Sequence, residues 1–297
     1  MNSTMSPPIH TPVMVNEVIE GLQPRVGGYF VDCTLGLGGH AQAILEKISP
    51  SGKLLGVDAD SEAIKVAQSN LYHYSEEITL VNDNFANLET ICKTHDFYPV
   101  DGILFDLGVS SMQLDTAQRG FSFRREALLD MRFDPMQELT ASDIVNTFPE
   151  RELASIIKQY GEERHAQRIA RHIVHSRPIT STLRLAHIVE QVLGGKRRRI
   201  HPATRTFMAL RIAVNRELDN LKLALEQTVT LLRPQGRLVV ISYHSLEDRI
   251  VKEFMRSKAS DRDLKLISRK VIRPTSLETE SNPRSRSAKL RIAEHSS

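Results

Sequence analysis

Four short apolar runs each end in an aspartate, and the aspartates fall at nearly even intervals: Asp32, Asp58, Asp83 and Asp106. The runs are Tyr29–Asp32, Lys53–Asp58, Ile78–Asp83 and Val100–Asp106, spaced by 26, 25 and 23 residues. Each interval has the length of one strand, one crossover helix and two loops. This segment is therefore expected to fold as a βαβαβαβ series with a mostly parallel sheet. Ligands of an open parallel sheet collect outside the carboxyl ends of its strands, so the acids sit where a small molecule would lie. One aspartate at a strand end is ordinary turn or cap chemistry. That explanation accounts less well for four in succession beside a glycine-rich loop.

The intervening segments read as helices. Ala41, Ile44, Leu45 and Ile48 fall at i, i+3, i+4, i+7, the spacing of one buried face. A second helix opens at Ser61, and a weaker one carries Leu88, Ile91 and Cys92. From Ser111 the strand beat stops. Helical stretches are predicted at Ala141–Thr147, Glu150–Tyr160, Glu163–His175 and Thr182–Leu193, punctuated by Gly and Pro. An all-helical block between two α/β segments predicts an inserted domain over 111–204, with 1–110 and 205–297 forming the main domain. The α/β pattern then resumes with a long helix, Thr206–Leu232, a turn at Pro234–Gly236 and a fifth strand, Arg237–Tyr243. Ser245-Leu-Glu-Asp248 has the spacing of a capping box before a helix over Leu246–Met255. Two β-like runs, Leu264–Ile272 and Ala288–Ala293, flank a Ser-, Arg- and Pro-rich stretch expected to be a mobile loop.

Charge is divided along the chain. Residues 1–110 carry 5 Lys/Arg against 14 Asp/Glu, residues 111–204 carry 15 against 11, and residues 205–297 carry 19 against 11. An acidic first third suits a small cationic ligand, while the basic remainder suits a polyanion. The two cysteines, Cys33 and Cys92, have neither metal-ligand nor disulfide spacing, and no metal is expected. No run reaches membrane-spanning length, and the N-terminus lacks a basic region followed by an apolar one. A cytoplasmic protein without a membrane role is the expectation.

The loop after the first run is Asp32-Cys-Thr-Leu-Gly-Leu-Gly-Gly-His40. Gly36, Gly38 and Gly39 permit a tight turn and close backbone approach to a ligand, and the N–H groups opening the next helix point into the site. Gly36-x-Gly38-x-x-Ala41, with Asp58 placed 22 residues after Gly36, meets the dinucleotide fingerprint. A carboxylate at Asp58 accepts ribose hydroxyls from NAD or from S-adenosylmethionine alike. Asp32 beside the loop and the scarcity of cations in the first 110 residues favour the cationic cofactor. The missing Lys-Ser or Lys-Thr after the glycines excludes a P-loop. A nicotinamide-dependent oxidoreductase and a non-catalytic RNA-binding protein stand as the alternatives.

The motifs His10-Thr-Pro-Val-Met, Asp32–His40, Asp106-Leu-Gly-Val-Ser-Ser111, Gln113-Leu-Asp115, Arg119-Gly-Phe-Ser-Phe123, Leu129-Asp-Met-Arg132, Tyr160-Gly-Glu-Glu163, His201-Pro-Ala-Thr-Arg-Thr-Phe207 and Ser242-Tyr-His-Ser-Leu-Glu-Asp-Arg249 occur in this order. Across nearly its whole length the chain resembles the bacterial 16S ribosomal RNA cytosine-N4 methyltransferase family. The resemblance implies a class I methyltransferase (Rossmann-like) fold, a doubly wound mostly parallel sheet with an inserted all-helical domain. It further implies methyl transfer from S-adenosylmethionine to the exocyclic amine of one decoding-centre cytidine of 16S rRNA in the small ribosomal subunit. Carried onto this sequence, the cofactor contacts are Gly38, Gly39, His40, Asp58, Phe85, Asp106 and Gln113. An aromatic at Phe85 can stack on adenine.

Asp106 is the candidate catalytic residue, an acceptor for the amine N–H that localises the nitrogen lone pair; a role in cofactor binding alone is the other reading. No cysteine lies where C5 chemistry would need a nucleophile. Ser110, Ser111, Tyr243 and His244 are candidates to hold the target base. Lys196-Arg-Arg-Arg199, Arg205, Arg284 and Arg286 are candidate phosphate contacts.

Overall fold

The computed structural model describes residues 12–194 and 201–296. The chain divides into two compact units, one built from the segments ending at Gly108 and beginning at Leu218, the other from Val109–Glu217. The first unit opens with α1 (Val15–Leu22) and then alternates: β1 (Tyr29–Asp32), α2 (Gly39–Ile48), β2 (Lys53–Asp58), α3 (Ser61–Asn70), β3 (Ile78–Asn82), α4 (Leu88–Thr94) and β4 (Val100–Asp106). The face of α2 expected from its apolar spacing is fully buried at Ala41, Ile44, Leu45 and Ile48. The start of α3 is fixed by Asp60, whose carboxylate accepts the Glu62 N–H at 3.1 Å.

The second unit is helical: α5 (Ser111–Asp115), α6 (Ala141–Thr147), α7 (Glu150–Gly161), α8 (Ala166–His175), α9 (Thr182–Leu193) and α10 (Thr204–Asn215). It has its own core, in which Ile144, Leu153, Ile157, Ile169, Leu185 and Leu210 are wholly buried. The α8 helix begins later than the apolar pattern indicates because Glu163 lies ahead of it, accepting the His165 N–H at 2.9 Å.

The single long helix expected over Thr206–Leu232 is two helices, α10 and α11 (Glu217–Leu231). Arg216 between them takes a left-handed conformation, φ 51°, which ends α10. Neither glycine nor proline marks the break. Polar contacts stitch it instead: Asn215 Nδ2 donates to the Met131 carbonyl, Asn215 Oδ1 accepts the Phe133 N–H, and Arg211 grips Glu217 through two parallel bonds of 2.7 and 2.8 Å. The boundary between the units falls here, after Glu217, so α10 belongs to the helical unit.

The first unit resumes with β5 (Leu232–Ser242), α12 (Ser245–Ser260), β6 (Leu264–Leu266), α13 (Ser276–Ser281) and β7 (Lys289–His295). The stretch expected to be a mobile loop holds α13 and a 3₁₀ turn over Pro283–Ser287. It is tied down where Glu278 Oε1 accepts the Met14 N–H at 2.6 Å. The capping box of α12 sits one residue earlier than Ser245: His244 Nδ1 accepts the Glu247 N–H, and Glu247 reaches back to the His244 N–H.

The strands form one sheet in the order β3-β2-β1-β4-β5-β7-β6, in which only β7 runs against its neighbours. Successive side chains alternate between two apolar layers. Val31, Ile103, Phe105 and Val240 face a core shared with α4, α11 and α12, and Phe30, Leu104, Val239 and Ile241 face α1 and α2. Burial on both faces explains why these strands read as continuous apolar runs. An antiparallel strand inserted between the fifth and sixth positions separates this sheet from the dinucleotide-binding order. It is a doubly wound, mostly parallel sheet.

Candidate active site

The order of the sheet reverses at β1, with β2 on one side and β4 on the other, and such a switch point opens a crevice at the strand ends. Register aligns Asp32 with Gly56 of β2 and Leu104 of β4. Asp58 and Asp106 therefore stand two residues further along on either side. Three of the four aspartates are the last residues of their strands.

Each acid has its own environment. Asp58 orders the glycine loop from across the crevice: Oδ2 accepts the Gly36 N–H at 2.8 Å, and Oδ1 accepts the Asp60 N–H at 2.9 Å. Asp32 is 1% exposed, and burial raises its carboxyl to about 6 against the partial relief of His40 and the Thr34 N–H. Its Oδ1 accepts the Thr34 N–H, while Oδ2 is buried and lacks a hydrogen-bond partner among the described residues. Asp83 lies one residue beyond β3 and serves the turn, accepting from the Asn84 N–H and Asn87 Nδ2. Phe85 follows, half-buried, its ring edge-on to Phe105 at 5.7 Å between centroids.

Asp106 is the most elaborately held of the four. Its backbone N–H donates to Thr34 Oγ1 at 2.6 Å, and its Oδ1 accepts the Tyr243 hydroxyl at 2.7 Å. Its Oδ2 faces His40 Nδ1 at 3.6 Å. The other nitrogen of His40, Nε2, lies 2.8 Å from the Val13 carbonyl oxygen, so it carries a proton. Burial pushes the Asp106 carboxyl above its usual range, opposed by His40 and the Tyr243 bond and reinforced by Glu247. The same burial, with Asp106 beside it, holds the Tyr243 phenol well above its usual value and hence protonated.

The glycine loop is tightly shaped. Gly36 and Gly38 have φ of 53° and 87°, and a Cβ on Gly39 would meet the Pro12 ring at 2.7 Å. Asn70 Nδ2 donates to the Leu37 carbonyl, and so holds the loop from the end of α3. Thr34, Asn70 and Val13 belong to this site but were not singled out from the sequence. Thr34 stands inside the Asp32–His40 motif and Val13 inside the His10–Met14 motif, which are usable signals; Asn70 offers none.

Other expected residues have different surroundings. Gln113 lies in the helical unit, 5% exposed, with Oε1 accepting the Ser110 N–H while Ser110 Oγ accepts the Gln113 N–H to cap α5. Ser111 is buried there, and its Oγ has no hydrogen-bond partner among the described residues. His244 is committed to capping α12. Arg205 is exposed and lies 3.6 Å from Glu163. Arg284 and Arg286 are exposed on the 3₁₀ turn of the first unit. Lys196–Arg199 and His10 fall outside the described residues. Both cysteines are buried, and burial pushes the Cys92 thiol to about 12 and that of Cys33 well up, so neither is a nucleophile. Among the described residues no helix is long and apolar enough to cross a membrane.

Comparison with known proteins adds to this geometry. Residues 8–296 match the model of the MraW methylase family. The chain is 54% identical to the ribosomal RNA small subunit methyltransferase H of Dehalococcoides mccartyi, over 96% of this chain and 86% of that protein. It is 50% identical to the protein of the same name from Thermotoga neapolitana, over 96% and 95% of the two chains. Among solved structures, an rRNA methylase from Streptococcus thermophilus aligns at 12% identity and a TM-score of 0.45, covering 99% of this chain and 100% of that one.

Proposed function

The chain belongs to the MraW methylase family, and on that premise we propose that it methylates the exocyclic N4 amine of one cytidine in the decoding centre of 16S rRNA, with S-adenosylmethionine as methyl donor. The observation that carries this reading is the acidic crevice, where Asp32, Asp58 and Asp106 close adjacent parallel strands around a glycine loop. The relatives' names supply the ribosomal RNA of the small subunit; the resemblance of the ordered motifs supplies the cytosine amine.

The residues fit a cationic nucleoside cofactor. A buried carboxylate oxygen without a hydrogen-bond partner among the described residues, Asp32 Oδ2, suits a positively charged ligand rather than a pyrophosphate. Asp58 would hold the ribose hydroxyls, Phe85 the adenine face, and Gly38, Gly39, His40 and Asp106 the remainder; Gln113, in the helical unit, is a contact on the resemblance alone. When bound, this cofactor supplies an electrophilic methyl group on a sulfonium centre. Asp106 would accept an N–H of the target amine, whose lone pair is otherwise delocalised into the pyrimidine ring. Much of the acceleration would come from holding the amine in line with the methyl. The base must leave its stack to reach the strand ends. The helical unit and the basic C-terminal segment would meet the RNA backbone within the small ribosomal subunit, and a cytoplasmic enzyme would follow from that substrate.

The experiment is a calorimetric titration with S-adenosylmethionine and with NADH, paired with nucleoside analysis of 16S rRNA from cells lacking the gene. Binding of the sulfonium cofactor alone and loss of one N4-methylated cytidine are expected. Binding of NADH would turn the reading toward an oxidoreductase, and unchanged rRNA would turn it toward a non-catalytic RNA-binding protein.

A further inference from the structure

Asp106 is held from two sides, by Tyr243, which the reading above does not use, and by His40, to which it gives only a cofactor contact. Tyr243 follows β5 and donates its hydroxyl to Asp106 Oδ1 at 2.7 Å; His40 lies in the first turn of α2 and presents Nδ1 to Oδ2 at 3.6 Å. Each partner is itself fixed. The His40 ring is 5% exposed and anchored through Nε2–H to the Val13 carbonyl, which cannot donate back. The Tyr243 backbone N–H donates to Glu247 Oε2 at 2.8 Å, and its ring packs over Gly108, where a Cβ would lie 3.4 Å from the ring. The carboxylate therefore has little freedom to rotate about its Cβ–Cγ bond.

We infer that Tyr243 and His40 are positioning residues that lock the Asp106 carboxylate in one orientation and make it the acceptor of the proton released by the substrate amine. The inference rests on the proposed amine methylation. In that step the N4 lone pair forms the new N–C bond, and the C–S electron pair stays with sulfur. The nitrogen, left with a positive charge, gives one proton to Asp106, which later passes it to solvent. An unrestrained carboxylate would spend part of its time pointing elsewhere, and the acceptor would then be missing as the N–H acidifies.

The groups facing Asp106 are His40 from α2, Tyr243 after β5, Glu247 from α12 and Asp32 from β1. His40 and the Tyr243 bond favour its ionised form, whereas Glu247 and burial oppose it. Losing the phenol hydroxyl therefore raises the pH at which Asp106 becomes a carboxylate, and the acid limb of the rate profile should move up with it.

The test uses the full chain with small subunits lacking the modification, comparing the unaltered protein with Tyr243→Phe, Asp106→Asn and the double variant. Tyr243→Phe keeps the ring and removes one hydrogen bond to a charged group, so kcat should fall about tenfold to a hundredfold. KM for RNA and the calorimetric affinity for S-adenosylmethionine should be unchanged, and the acid limb of kcat against pH should shift to higher pH. In the Asp106→Asn background, Tyr243→Phe should have no further effect, because the two act as one unit. An equal kcat loss at every pH with the limb unmoved, or a further loss in the double variant, overturns the inference while leaving the methylation reading intact. No methyl transfer by the unaltered chain overturns both.

Discussion

The sheet unit and the helical unit place charge in opposite ways. At the strand ends the charges are acidic and buried: Asp32 is almost fully enclosed, and Asp106 is held by groups from α2 and the end of β5. On α8 they are basic and outward. Arg168, Arg171, His172 and His175 are exposed, while Ile169, Ala170 and Ile173 are buried beneath them. A buried acid costs folding energy unless something pairs with it, so its retention at a crevice points to a ligand. An exposed cation costs little and gains little alone; its effect is collective and requires a polyanion. The acids therefore should act one by one and chemically, and the cations additively and through salt.

Asp106→Asn keeps shape and the Tyr243 contact but removes the proton acceptor. Single-turnover methyl transfer at saturating cofactor should fall by about 10²–10⁴. A variant with near-normal turnover would leave Asp106 a cofactor ligand only. Asp58→Ala removes the acceptor for the Gly36 and Asp60 N–H groups as well as the ribose contact. Calorimetry should show S-adenosylmethionine binding weakened about tenfold to a hundredfold, and an unchanged affinity would remove Asp58 from the site.

Asp32→Asn tests the cost of burial. The folded carboxyl sits at about 6 against 3.8 for the free group. The preference for the protonated form stabilises the fold fully below pH 3.8, and this contribution is lost as pH rises through 6. An amide does not ionise, so at pH 7.5 the cofactor-free variant should be more stable in urea by on the order of 1–3 kcal/mol. The gain should vanish near pH 3.5, where both proteins are neutral at this position. An equal gain at both pH values would mean that burial of the charge is not the cause.

For the helical unit, Arg168→Ala with Arg171→Ala should weaken RNA binding several-fold and reduce the slope of log K against log salt by about two, leaving cofactor affinity untouched. Charge removal at Lys196–Arg199 should act in the same direction. A loss of cofactor binding, or an unmoved salt slope, would break the division between the units.

Much of the sheet unit was legible because its signals are local. The strand beat, the glycine loop and the i, i+3, i+4 face of α2 each lie within a short window. The boundaries of α6 and α9 were legible for the same reason, since Thr140 and Ser181 cap them. What escaped depends on contacts distant in sequence. Arg216 breaks a helix without Gly or Pro because Asn215 is held by Met131 and Phe133, more than eighty residues away. The stretch before β7 looked mobile from its composition, yet Ser285 is fully buried and Glu278 reaches Met14. The Tyr243–Asp106 bond spans 137 residues and exists only because β4 and β5 are neighbours. Tyr243 could be placed near the site from the sequence, but its partner could not.

On the proposed function, the acidic crevice transfers one methyl group to one amine of the small-subunit RNA. This transfer is tested most directly by incubating the full chain with labelled S-adenosylmethionine and small subunits from a strain lacking the gene, then mapping the label. One methyl per subunit is expected, on N4 of a single decoding-centre cytidine. Label on C5, on a ribose hydroxyl or on protein, or no transfer at all, would contradict it.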